Sequence, residues 1–175
     1  MGAEPARRRQ RQGRPAPPSD PHDPAAALER ALRILAAAGQ TTARLRARLR
    51  RAGYADDAVE PALRRLTELR YIDDRAYAVS RMRRRIESGR GRRVIAAELR
   101  QRGVPDEVVD ELVRGVDPDE ELELAKRAAQ RLIHAHREDS PAHGRDLVLA
   151  ALVRRGYPPG LARAAYNAAS ASDLD

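Results

Sequence analysis

Apolar residues recur along this chain at helical spacing, and in three places the same arrangement returns. Leu45 and Leu49 are followed by Gly53-Tyr54 and then by Val59, Leu63 and Leu66. Ile95 and Leu99 are followed by Gly103-Val104 and then by Val109, Val113 and Val116. Val148 and Leu152 are followed by Gly156-Tyr157 and then by Ala162 and Tyr166. Positions four apart share one face of a helix, and a glycine just beyond supplies the left-handed residue that ends it. Each segment therefore predicts two amphipathic helices joined at a glycine corner. Asp56-Asp57 and Asp106-Glu107 open the second helix of the first two copies, where carboxylates suit the helix dipole. The third copy has Pro158-Pro159 there and is the most divergent. Another helix precedes each pair, with apolar faces read as Leu28, Leu32 and Leu35, as Val79, Met82 and Ile86, and as Leu124, Ala128 and Leu132. No stretch alternates with a period of two. The pattern predicts an all-α fold of three tandem three-helix repeats over 25–72, 73–116 and 117–169. Units of this size are weak alone and lean on their neighbours.

Composition changes the expected core. Val, Ile, Leu and Met together make up 35 of 175 residues while alanine alone supplies 33, so closely packed helices with small residues between them replace a large aromatic core. The absence of cysteine excludes a disulfide framework, cysteine-based zinc sites and thiol nucleophiles, and fits a reducing compartment. No run of about 18 apolar residues exists to span a membrane, and a cytoplasmic monomer is expected. Residues 1–24 hold six prolines and five arginines, without the apolar segment of a secretory signal; they read as a disordered basic tail, with a short second tail over 170–175.

The formal charge of +8 is unevenly placed. Ten arginines lie between Arg75 and Arg102 against Glu87 and Glu98 alone, whereas Val104 to Lys126 carries nine acids against two cations. On a helix from about Arg75 to Glu87, Arg81, Arg84 and Arg85 fall opposite the apolar face, with Arg83 on the flank. On the following helix Arg93 and Arg100 line the outer side, and Arg92 stands at its start. These guanidinium groups form the expected binding surface, suited to phosphates or carboxylates. Arg44, Arg48 and Arg51 make a secondary basic stripe.

Other chemistry finds little support. A helix-turn-helix reading is opposed by the acids at the start of each would-be recognition helix. Asp73 and Asp74 stand where a helix begins and read as caps rather than as a catalytic pair. His134 and His136 point about 200° apart on a helix, the wrong arrangement for a shared metal even with His143 nearby, so no metal or cofactor is expected. No phosphate-binding loop, nucleophile elbow or dinucleotide fingerprint occurs, and the chain does not read as an enzyme. Five scattered tyrosines make poor stacking platforms for a single strand.

The run Tyr71-Ile72-Asp73-Asp74-Arg75-Ala76-Tyr77-Ala78, followed by Gly91-Arg92-Arg93-Val94-Ile95-Ala96-Ala97-Glu98-Leu99-Arg100-Gln101-Arg102-Gly103-Val104, resembles the core signature of the bacterial RecX regulatory family. The segments Leu45–Tyr54 and Leu152–Tyr157 match the family's repeated units, and the resemblance extends over about residues 25–167. Tyr77 stands where phenylalanine is usual, and the proline-rich tail is extra. The resemblance implies an elongated, curved array of three repeats that lies in the groove of the RecA–ssDNA–ATP filament and modulates RecA, usually by inhibition. A stand-alone DNA-binding protein that uses the same arginines and the tail is the alternative.

Overall fold

A computed structural model describes residues 17–137 and 140–172, and its described residues form nine helices and no strand. The first repeat comprises α1 (Pro24–Ala37), α2 (Thr42–Ala52) and α3 (Asp56–Glu68); the second, α4 (Asp74–Glu87), α5 (Arg92–Gln101) and α6 (Asp106–Arg114). The third comprises α7 (Pro118–Ala135), α8 (Pro141–Arg154) and α9 (Pro159–Ser172). α9 thus runs past the expected start of a tail at residue 170, while residues 173–175 lie outside those described. The starts follow local rules: Asp23, Thr41, Asp73 and Asp117 each accept a backbone N–H at the head of a helix. Gly53, Gly103 and Gly156 all have left-handed backbones, with φ of 104°, 77° and 99°.

Each repeat has its own core, and alanine governs the leading helix of all three. In α1 the buried face is Ala27, Ala31 and Ile34, with Leu32 turned outward. In α4 it is Ala78 and Met82, and Val79 is 47% exposed. In α7 it is Ala125, Ala128 and Ala129, with Leu132 at its edge. Leu32, Val79 and Leu124 of the expected faces thus fall outside these cores, whereas Leu28, Leu35, Met82, Ile86, Ala128 and Leu132 pack in them as expected. The physical reason is distance. Alanine at the contact line lets helices approach closely, and larger side chains then fit only beside it. The facing alanines of α7 (Ala125, Ala128, Ala129) and α9 (Ala162, Ala165, Ala169) show this most plainly.

Helices pack side by side only within a repeat; neighbouring repeats meet at corners. At the first joint Thr41, fully buried, donates to the Arg102 carbonyl at 2.5 Å, and Gly103 lies against the side chain of Ala43. Asp73 caps its own helix by accepting the Ala76 amide, but Asp74 reaches across the joint, accepting the Thr42 amide at 2.7 Å and its hydroxyl at 3.2 Å. It thereby serves the start of α2 in the preceding repeat. Asp74→Ala is expected to cost about 1–2 kcal/mol in urea unfolding, as for a lost cap.

At the second joint Gly91 occupies the place of Thr41. Its amide donates to the Arg155 carbonyl at 2.8 Å and the Arg93 amide donates to Gly156 at 3.3 Å. At the Gly53 corner, residues 17–23 stand where the preceding repeat stands at the other two. Pro18 packs on Gly53, the Ala55 amide donates to the Pro21 carbonyl at 2.9 Å, and His22 pairs with Asp57 at 2.8 Å. The expected loose tail of 1–24 is thus replaced by ordered structure over 17–23, because a bare glycine corner leaves backbone groups to satisfy. Residues 1–16 lie outside those described.

Candidate binding surface

The basic helices α4 and α5 lie side by side, and Glu98 on α5 sits between their arginines. Its side chain is only 14% exposed and accepts from Arg81, from Arg85 at 2.6 Å and from Arg102 at 3.0 Å. Burial pushes the carboxyl upward, but the hydrogen bonds from Arg85, Arg81 and Arg102 outweigh it and bring the pKa down to about 2. Arg81 and Arg85 are therefore turned into an internal hub rather than outward as expected from helix periodicity alone.

Other members of the expected surface are also engaged. Arg92 pairs with the buried Glu121 at 3.3 Å, tying the second repeat to the third. Arg100 bonds both Asp106 at 2.8 Å and Asp110 on α6. Arg75 is paired with Glu111, whose carboxyl is lowered by that guanidinium. The glycine corner explains the pairing: it folds the acidic start of α6 back over α5. The first repeat does the same, with Arg50 bidentate on Asp56 at 2.6 and 3.0 Å.

Several exposed arginines have no carboxylate partner among the described residues, and they are distributed differently from the sequence expectation. Arg84 donates only to the Ser80 carbonyl of its own helix, at 3.4 Å, and Arg93 is exposed at the start of α5. Arg44, Arg48 and Arg51, read as a secondary stripe, are all exposed along α2. The structure brings Arg44 and Arg84 to one groove of about 660 Å³ between the first and second repeats. Arg70, Tyr71, Tyr77 and Arg102 share its walls, and Tyr77 is half-buried, its hydroxyl accepting from Arg102 at 3.1 Å. A second depression of about 440 Å³, lined by Gln40, Arg44, Arg48 and Arg51, continues from it along α2.

Arg70 and Tyr71 were missed by a reading based on helical periodicity, because they fall in the turn after α3. Tyr71 is 60% exposed, and Tyr71 and Tyr77 are not scattered but share the groove. Their signal in the sequence was an aromatic residue next to an arginine outside any apolar stripe. Among the described residues no group of three or more His, Cys, Asp or Glu could hold a metal ion, and no helix is long and apolar enough to cross a membrane.

Two family models match the chain: RecX first three-helix domain over residues 27–66 and RecX second three-helix domain over 73–113. A regulatory protein RecX of Mycolicibacterium vanbaalenii is 35% identical over 144 residues, covering 82% of this chain and 77% of the relative. One from Thermobifida fusca is 36% identical, covering 86% and 84%. The crystal structure of RecX from Lactobacillus salivarius superimposes with a TM-score of 0.77 at 20% identity, over 87% of this chain and 98% of that one, a similarity of fold. A crystal structure of a regulatory protein RecX gives 0.70 at 28% identity, over 79% and 68%.

Proposed function

This chain belongs to the RecX family of regulatory proteins, and from that premise we propose that it binds the RecA–ssDNA–ATP filament and restrains RecA's recombinase, ATPase and co-protease activities. It acts by occupancy and carries out no chemistry of its own. An array of three repeats joined at corners offers a long surface for its mass, suited to reaching along a filament groove. The observation that carries the reading is a set of exposed guanidinium groups on the first two repeats that have no carboxylate partner among the described residues, Arg44, Arg48, Arg51, Arg84 and Arg93 among them. Such groups are available to carboxylates and phosphates of a partner, whereas those of Arg81, Arg85, Arg92 and Arg100 are held by internal acids. The protein works in the cytoplasm as a monomer.

ATP hydrolysis by RecA on single-stranded DNA tests the proposal directly. Added protein is expected to slow it, and Arg84→Glu with Arg93→Glu is expected to require at least about tenfold more protein for the same inhibition, as like-charge contacts replace favourable ones. Unchanged inhibition by the double variant would remove these residues from the interface. No effect of the native protein on RecA would remove the reading itself.

A further inference from the structure

We propose that the groove between the first and second repeats binds single-stranded nucleic acid by itself, with Arg44, Arg70 and Arg84 on the phosphates and the Tyr71 ring stacked on a base. The inference goes beyond RecA regulation, since it requires no RecA. Four observations carry it, and they come from different parts of the chain. Arg44 on α2, Arg70 in the turn after α3 and Arg84 on α4 converge on one open groove, each without a carboxylate partner among the described residues. Tyr71 projects beside them as the most exposed of the large apolar side chains described.

The backbone supplies the third observation. Arg70 has φ of 56° and is the one non-glycine among the described residues with a left-handed backbone. Four turns that follow helices in this chain use glycine for such a conformation, at Gly53, Gly89, Gly103 and Gly156. A residue with a Cβ in its place is under local strain, and strain held at the wall of a groove is consistent with a side chain kept there for what it contacts. The fixed turn sets the direction of Arg70 and of the Tyr71 ring next to it.

The fourth observation is continuity of charge. Arg48 and Arg51 extend the cationic track along α2 to the Gly53 corner, where Pro18 is seated. Guanidinium groups along a groove with an aromatic platform are the chemistry of single-strand recognition. A duplex hides its base faces and would leave the Tyr71 ring idle; an acidic peptide would use the arginines and equally ignore the ring.

Fluorescence anisotropy of a labelled oligothymidylate, titrated with the full-length protein at several salt concentrations and without RecA, decides the matter. Native protein should bind, with affinity falling as salt rises. Arg70→Gly should reduce the slope of log affinity against log salt by about 0.7, the loss of one phosphate contact on a single strand. Its melting temperature should hold or rise, because glycine relieves the left-handed turn. Tyr71→Ala should weaken binding about tenfold at each salt concentration and leave the slope unchanged. Arg100→Gln, outside the groove, should leave both unchanged. Absence of binding by the native protein, an unaltered slope in Arg70→Gly, or a lowered melting temperature of that variant would overturn the assignment. So would displacement of the strand by an oligoglutamate peptide together with insensitivity to Tyr71→Ala, which would make an acidic protein segment the occupant. Inhibition of RecA is read in a separate assay, so failure of that reading leaves strand binding standing, and the reverse.

Discussion

Gly156→Ala is expected to destabilise the protein by about 2–4 kcal/mol and to loosen the third repeat from the second. Two effects add. The residue has φ of 99°, which an L side chain adopts only under strain. Its new Cβ would also stand 2.6 Å from the Val94 amide nitrogen and 2.8 Å from the Val94 side chain, in the neighbouring repeat. Backbone cannot yield as a flexible side chain can, so the joint must open. Gly91→Ala separates the two effects, because its backbone is not left-handed, yet a Cβ there would fall 2.5 Å from the Gly156 carbonyl carbon. Urea unfolding gives the stability, and small-angle scattering reports the change in length when the joint gives way. Gly160→Ala is the internal control: it has open space around it at the start of α9 and should be neutral or gain up to about 1 kcal/mol. Equal effects of Gly156→Ala and Gly160→Ala would refute the close-approach account.

The second large effect is expected at Glu98. Glu98→Gln removes the charge that holds three guanidinium groups together and should cost about 2–3 kcal/mol, less than a fully buried triad would because the arginines retain some water. The native protein carries a pH signature of the same interaction. Folding lowers the Glu98 pKa from 4.5 to about 2, so its contribution is complete above the unfolded value and disappears as pH falls through the folded one. Linkage puts that contribution at about 3 kcal/mol, lost between roughly pH 5 and pH 2. Urea midpoints measured across that range should fall more steeply for the native protein than for Glu98→Gln. Parallel curves would show that Glu98 does not titrate as described.

The repeat architecture was legible because it rests on local rules. Leu45 and Leu49, Ile95 and Leu99, and Val148 and Leu152 are spaced for one helical face, and the glycine after each pair has the left-handed backbone that its position required. The leading helices were less legible. Val79 outweighs Ala78 on any hydropathy scale, yet Ala78 is buried and Val79 is not. Periodicity weighs the size of apolar side chains, whereas packing selects the small residue wherever two helix axes come closest.

The charge divides the same way. The sequence by itself determined that ten arginines fall between Arg75 and Arg102 and that nine acids follow, because both are facts of order along the chain. It also determined helix class, corner positions and kinship, which depend on residues near one another in sequence. Which arginines are free was decided only by tertiary structure. The turn at Gly103 lays Asp106 and Asp110 against Arg100, and the α4–α5 pair closes Arg81 and Arg85 on Glu98. The corner between repeats then draws Arg44, Arg70 and Arg84 together from three separate elements. Charge count is additive along a chain, but the availability of a charge depends on what the fold places within a few ångströms of it.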